Sequence, residues 1–267
     1  MRLPVLTLVL AAALAGCVNV PSPPRAGSGA RADDVPTPPT AKDADRIARL
    51  HMELAGGYFS RGQTDTALDE IRQVLAVRPD LPEAYNMRGL IYASLGRAAD
   101  AEASFRRALQ LKPGDADTEH NFGWFLCQER RYREADVQFD AALAQPQYRE
   151  RVRTLLAQGV CMARDGRWAD AEHKLLQSYE LAPGNAATAY NLTDVLYHEG
   201  QYARARFYIA RVNAVREQSN AQTLWLAIRI EHKLGNTAGV QDLGRQLNER
   251  FPQSAEAMRY ERGHFDE

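Results

Sequence analysis

Apolar and polar residues follow one another at a helical spacing from about residue 46 to residue 253, and the whole pattern recurs about every 34 residues. Within each repeat, small residues stand where two helices must approach closely, and large apolar residues stand where the helices fill a shared core. A turn position separates the two helical stretches of each repeat, and this pattern predicts an all-α array of paired helices. The turn positions, glycine in five of the six repeats, are Gly62, Gly96, Arg130, Gly166, Gly200 and Gly235.

The period and the pattern resemble those of the tetratricopeptide repeat. The clearest unit runs from Pro82 to Asp115 and reads PEAYNMRGLIYASLGRAADAEASFRRALQLKPGD. We therefore expect a right-handed superhelical solenoid of about six helix-turn-helix units over residues 44–260, in which Val240 and Gly244 mark the last unit as a cap. The predicted units lie near residues 48–81, 82–115, 116–151, 152–185, 186–220 and 221–254.

The resemblance to tetratricopeptide arrays implies that the first helices line a concave groove that binds peptides or other proteins. Helical periodicity places aromatic and arginine side chains there, which are residue types enriched in binding hot spots. An alternative is that Trp124 and Trp225 fill gaps between neighbouring helices. We expect His120, on the groove face, to be a polar contact rather than a catalytic base. The predicted groove residues are Asn86, His120, Trp124, Tyr190, Asp194, Tyr197, Trp225 and Arg229.

The first sixteen residues predict a lipoprotein signal peptide rather than a membrane span. Arg2 precedes an apolar run over residues 3–15, which is shorter than the roughly 20 residues that a membrane-spanning helix needs. The run ends in Leu-Ala-Gly-Cys17, which resembles a bacterial lipobox, where the cysteine is acylated and the chain is cut before it. An ordinary signal peptide with a nearby cysteine is the alternative. Val18 rather than aspartate follows the cysteine, and the resemblance to Gram-negative lipoproteins then implies that the lipid on Cys17 anchors the chain in the outer membrane.

Residues 17–43 are rich in proline, glycine and serine, as in PSPPRAGSGARADDVPTPPT. Such a segment buries too little apolar surface to offset its chain entropy, so we predict a disordered tether between the lipid on Cys17 and the repeat domain. Residues 261–267 are expected to form a C-terminal tail.

Charge and motifs argue against several classes of function. The chain has 33 basic and 34 acidic residues, so bulk charge does not favour nucleic-acid binding. It contains no glycine-rich phosphate loop, no G-x-S-x-G elbow and no C-x-x-C pair, and its six histidines are scattered. We therefore predict a protein that is not an enzyme and that binds no metal, cofactor, small-molecule substrate or nucleic acid.

Two cysteines remain once Cys17 is acylated. Cys127 and Cys161 lie 34 residues apart, in the first helices of consecutive predicted units. Neighbouring first helices pack side by side, and an exported protein enters an oxidising compartment, so a disulfide between these cysteines is predicted. Two buried free thiols are the alternative.

Three segments, HNFGWFLCQERRYREADVQFDAALAQPQY, NLTDVLYHEGQYARARFYIARV and LWLAIRIEHKLGN, followed by FPQSAEA, resemble the PilF/PilW family of type IV pilus biogenesis lipoproteins. The resemblance implies a lipid-anchored pilotin that faces the periplasm and helps the pilus secretin to reach the outer membrane or to form its multimer, or that stabilises pili. Two alternatives stay open. One is a tetratricopeptide lipoprotein that serves outer-membrane protein assembly or peptidoglycan remodelling, and the other is an accessory subunit of an enzyme.

Overall fold

The protein is described here by a computed structural model, which covers residues 40–265. Within that range the chain forms thirteen α-helices and no β-strand, so the predicted all-α fold is confirmed. The helices are α1 (Ala41–Ser60), α2 (Thr64–Val77), α3 (Pro82–Ser94), α4 (Ala98–Leu111), α5 (Ala116–Gln128), α6 (Tyr132–Ala144), α7 (Arg151–Arg164), α8 (Trp168–Leu181), α9 (Ala186–His198), α10 (Tyr202–Ala214), α11 (Ala221–Lys233), α12 (Thr237–Arg250) and α13 (Ala255–Arg262).

Helices α1 to α12 form six consecutive pairs, each closed by a tight turn at the position that the repeat pattern predicts. The five turn glycines have φ between 69° and 75°, a left-handed conformation that favours glycine. In the third unit Arg130 takes this conformation with φ of 60°, and it is the sole non-glycine residue with positive φ in residues 40–265. The turn geometry is therefore kept where glycine is absent.

The pairs stack as a solenoid with two unlike sides. First helices of consecutive units approach one another to within 8 Å between Cα atoms, whereas no two second helices in the described range do so. Each second helix packs instead against its own first helix and the first helix of the next unit. The stack therefore curves towards its first helices, which line the concave side.

In the second and third units, a glycine of the first helix packs against a large residue of the second. Gly89 faces the ring of Phe105, and Gly123 faces the ring of Phe139. Both phenylalanine side chains are fully buried. The close approach of α3 to α4 and of α5 to α6 depends on these glycines, because a Cβ atom at either position would overlap a ring.

Each end of the repeat region carries a structural feature of its own. Helix α1 begins at Ala41, three residues before the expected start of the domain, and the Thr40 hydroxyl caps it by accepting from the Asp43 amide. Helix α13, which the repeat period does not predict, packs on α11 and α12. Its Tyr260 ring takes the space that a Cβ at Gly244 would occupy, which is the physical reason for the small residue there.

The predicted signal peptide, Cys17 and nearly all of the predicted tether lie outside the described residues. No helix in residues 40–265 is both long enough and apolar enough to cross a membrane.

Candidate partner-binding groove

The concave side of the third to fifth units carries two adjoining cavities of about 390 and 240 Å³. Val160 of α7 and Asn191 of α9 line both cavities, so the two form one continuous depression, hereafter the α5–α7–α9 groove. Helix α5 contributes the groove wall on one side and α9 the wall on the other. The larger cavity is lined by His120, Trp124, Arg153, Leu156, Ala157, Val160 and Asn191.

Helical spacing explains which side chains reach this groove. His120 and Trp124 lie ten and six residues before the turn of their unit, and Leu156 and Val160 occupy the same two positions in the next unit. Residues four apart lie on one face of a helix, so each pair projects to the same side. The floor between α5 and α7 is therefore apolar and aromatic.

A chain of hydrogen bonds crosses three first helices at one rim of the groove. Arg153 donates from Nε to His120 Nε2 at 2.8 Å and from Nη2 to Asn121 Oδ1 at 3.0 Å. Asn121 Nδ2 in turn donates to Asn86 Oδ1 at 3.2 Å. Because His120 Nε2 accepts, its ring proton resides on Nδ1, which lies 2.8 Å from Thr154 Oγ1. This network fixes the orientation of Arg153 with neutral partners alone.

His120 is uncharged at neutral pH in this setting. Its ring is buried, and burial together with the neighbouring charge of Arg153 lowers the pKa of His120 to about 4. A proton on Nε2 would also break the hydrogen bond from Arg153. The ring therefore accepts a hydrogen bond from Arg153 at Nε2 and carries its proton at Nδ1.

At the opposite rim Arg164 lies over Trp124. The Arg164 guanidinium carbon is 5.2 Å from the centroid of the Trp124 ring, which is a cation–π distance. Arg164 is exposed and Trp124 is half-buried. Neither Arg153 nor Arg164 forms an ion pair with a carboxylate among residues 40–265. Both rims of the groove thus carry a positive charge that the described chain does not neutralise.

The remaining predicted groove residues differ in how far their side chains are exposed. Tyr190 and Asp194 of α9 are partly exposed, and Asp194 Oδ1 lies 3.9 Å from His198 Nε2. Tyr197 and Trp225 expose only 7% and 6% of their surface. Their contact with a partner stays a prediction, and truncating either side chain would test packing as much as binding.

Several residues of the groove are not among those that the sequence predicts. Leu156 and Val160 stand at the same repeat positions as His120 and Trp124, so the periodicity contains that signal. As aliphatic residues they are not of the aromatic and arginine types enriched in binding hot spots. Arg153 and Arg164 lie near the two ends of α7, where the repeat pattern gives no signal.

Cys127 and Cys161 are joined by a disulfide in the structure, with their Cα atoms 5.8 Å apart. Both are buried, with 1% and 0% of their surface exposed. The bond links α5 to α7, the two helices that form the larger cavity. In residues 40–265 no cluster of histidine, cysteine and acidic side chains has the arrangement of a metal site.

Comparisons with known proteins agree with this architecture. A family model described as a tetratricopeptide repeat matches residues 52–116 and 126–186, and another with the same description matches residues 162–228. The type IV pilus assembly protein PilF of Pseudomonas aeruginosa is 27% identical over 256 residues, which cover 96% of either chain.

Two solved structures are similar over most of the repeat domain. The crystal structure of PilW, described as a widely conserved type IV pilus biogenesis factor, superposes with a TM-score of 0.73 at 30% identity, covering 79% of this chain and 97% of PilW. The structure of Pseudomonas aeruginosa PilF gives a TM-score of 0.71 at 25% identity, covering 82% of this chain and 99% of PilF.

Proposed function

We propose, since this chain belongs to the PilF/PilW family of tetratricopeptide-repeat proteins of type IV pilus biogenesis, that it is a non-enzymatic lipoprotein scaffold that binds secretin subunits. In this proposal the lipid on Cys17 holds the protein in the outer membrane, and the repeat domain faces the periplasm. Captured secretin subunits then reach the outer membrane or multimerise there.

The observation that carries the proposal is similarity to two pilus biogenesis proteins, PilF and PilW, along nearly the whole length of each. It covers 96% of PilF by sequence and 97% of PilW by structure, so it extends beyond the general tetratricopeptide pattern. The concave groove and the lipobox-like segment that ends at Cys17 add support, because they supply a protein-binding surface and an anchor. Confinement to one membrane raises the local concentration of captured subunits, and this requires no covalent chemistry.

The anchor is tested by fractionating cells that express the wild type, Cys17→Ala or Val18→Asp. We expect Cys17→Ala to leave the membranes with its helical content unchanged, because removal of the acylated thiol does not touch residues 40–265. Val18→Asp serves as the matched control, since it keeps the thiol and is expected to be retained in the inner membrane. If Cys17→Ala stays in the outer membrane of cells that lack its partner, the lipidation proposal is wrong.

The partner is tested by co-purification from outer-membrane extracts, with secretin multimers measured in the same strains. Recovery of secretin with the wild type, and fewer multimers in the Cys17→Ala strain, are the expected results. Recovery of a barrel-insertion complex or a cell-wall hydrolase without secretin would instead favour a role in outer-membrane protein assembly or peptidoglycan remodelling.

A further inference from the structure

The last unit of the solenoid holds a segment of its own chain on its concave face. Phe265, which follows α13, stacks on Trp225 with ring centroids 6.0 Å apart and on His232 with centroids 4.6 Å apart. Arg229 Nε donates to the Phe265 carbonyl oxygen at 3.3 Å. This face therefore receives one aromatic side chain together with one main-chain carbonyl group.

The residues that hold Phe265 stand at the repeat positions that form the α5–α7–α9 groove. Trp225 and Arg229 lie ten and six residues before the turn of the sixth unit. These are the positions of His120 and Trp124 in the third unit. The sixth unit is thus an internal example of how a peptide segment occupies this side of the solenoid, whereas the third and fourth units present the same positions as an open groove.

Charge further restricts the occupant of the groove. Arg153 and Arg164 are eleven residues apart on α7, so their Cα atoms lie about 16 Å apart at opposite rims. Both are held by neutral groups, and Asp194 is the sole acidic residue that lines either cavity. Because neutral His120 adds no charge, the groove carries a net positive charge beside an apolar floor.

We propose that the α5–α7–α9 groove binds a partner segment that carries an aromatic or large aliphatic side chain with a carboxylate on one or both sides. The apolar side chain packs against Trp124, Leu156 and Val160, and the carboxylates pair with Arg153 and Arg164. This inference rests on the proposed function for the identity of the partner and adds the chemistry of the segment that is recognised.

Binding is measured by fluorescence anisotropy with the purified full-length protein. The probe is a labelled ten-residue glycine-serine peptide with a central phenylalanine and two aspartates five residues apart, a spacing that spans about 16 Å in an extended chain. Control probes carry alanine for phenylalanine or asparagine for both aspartates. We expect saturable binding of the first peptide and at least tenfold weaker binding of each control.

Protein variants locate the binding surface. Trp124→Ala is expected to weaken binding about thirtyfold, as for an aromatic hot spot. Arg164→Gln is expected to weaken binding of the aspartate peptide without affecting the asparagine peptide. Arg107→Gln, an exposed arginine of second helix α4, is the matched control and should bind as the wild type does. Circular dichroism verifies that every variant is folded.

Two outcomes would overturn the inference. One is the absence of saturable binding by the wild type, and the other is equal binding of the phenylalanine and alanine peptides. A change of oligomeric state in Trp124→Ala, with no peptide binding, would assign the groove to a second copy of this chain instead.

Secretin capture by the same variants separates this inference from the proposed function. If Trp124→Ala and Arg164→Gln capture secretin as well as the wild type does and no peptide binds, the groove inference fails and the function stands. If the wild type captures no secretin but the peptides behave as expected, the function fails and the groove inference stands.

Discussion

The close packing of first and second helices predicts that one methyl group at Gly89 destabilises the second unit. An added Cβ there would lie 2.7 to 2.9 Å from three atoms of the Phe105 ring. Phe105 is fully buried, and its ring also packs on Phe122 and Phe125 of α5. Gly89→Ala must therefore displace the ring or separate the two helices.

The magnitude follows from a comparison with Gly56→Ala in α1. Both glycines lie inside first helices, and alanine gains about 1 kcal/mol over glycine in helix propensity at either position. No atom lies within 4 Å of a Cβ built at Gly56, so Gly56→Ala should stabilise by about that amount. Overpacking at Gly89 costs about 1–3 kcal/mol. Because both variants gain the same helix propensity, the difference between their free energies of unfolding should equal the overpacking cost at Gly89.

Urea denaturation followed by circular dichroism measures both variants, and a rescue variant tests the cause. Phe105→Leu shortens the opposing side chain, so Gly89→Ala combined with Phe105→Leu should show a favourable coupling energy of about 1 kcal/mol or more. The reasoning would be refuted if Gly89→Ala stabilised the protein as much as Gly56→Ala does, or if the double variant were only additive.

Two further predictions concern the helices that form the groove. Reduction of the Cys127–Cys161 disulfide should lower the free energy of unfolding by about 4 kcal/mol, the chain-entropy value for a loop of 34 residues, as measured by urea denaturation with and without dithiothreitol. Two reactive thiols in denatured, unreduced Cys17→Ala protein would contradict the bond. The folded pKa of His120 is about 4, below the ordinary 6.5, so the stability of the neutral ring is present above pH 6.5 and is lost as pH falls towards 4. The free energy of unfolding should therefore fall by up to about 1.4 kcal/mol per pH unit as the pH is lowered from 7 to 4. His120→Gln should remove this pH dependence, whereas His173→Gln, at an exposed ring, should retain it.

The repeat pattern was sufficient to predict the fold because it records local and nearest-neighbour requirements. A glycine at the turn and a small residue opposite a large one are each visible within about 34 residues of sequence. The third unit shows that the period carries more information than any single residue, since Arg130 adopts the left-handed turn conformation without being glycine.

The end of the domain could not be predicted in this way, because α13 lies outside the period. Its eight residues have no repeat partner, and its position is defined by contacts with α11 and α12. Gly244 could be recognised as a departure from the pattern, but the Tyr260 ring that requires it is sixteen residues away in sequence. Such a pairing becomes visible only in the folded chain.

The sequence placed some of the predicted groove residues on one surface but did not indicate how far each side chain is exposed, and their contact with a partner stays a prediction. Periodicity placed His120 and Trp124 on the surface that contains the larger cavity. It could not show that Phe265 covers Trp225 or that the Arg229 guanidinium lies 4.5 Å from the Tyr197 ring centroid. Both contacts join residues of different units or of the C-terminal segment, so they cannot be predicted from the pattern within a single repeat.

The disulfide and the groove depend on the same pair of helices. Cys127 follows Trp124 by three residues on α5, and Cys161 directly follows Val160 on α7. A covalent bond between these helices limits how far Trp124 and Val160 can move apart or slide past each other. A partner segment that binds between them then loses less free energy to ordering the groove, because its walls are already in place. The bond should therefore matter for affinity as well as for stability, although neither sulfur atom is exposed to a partner.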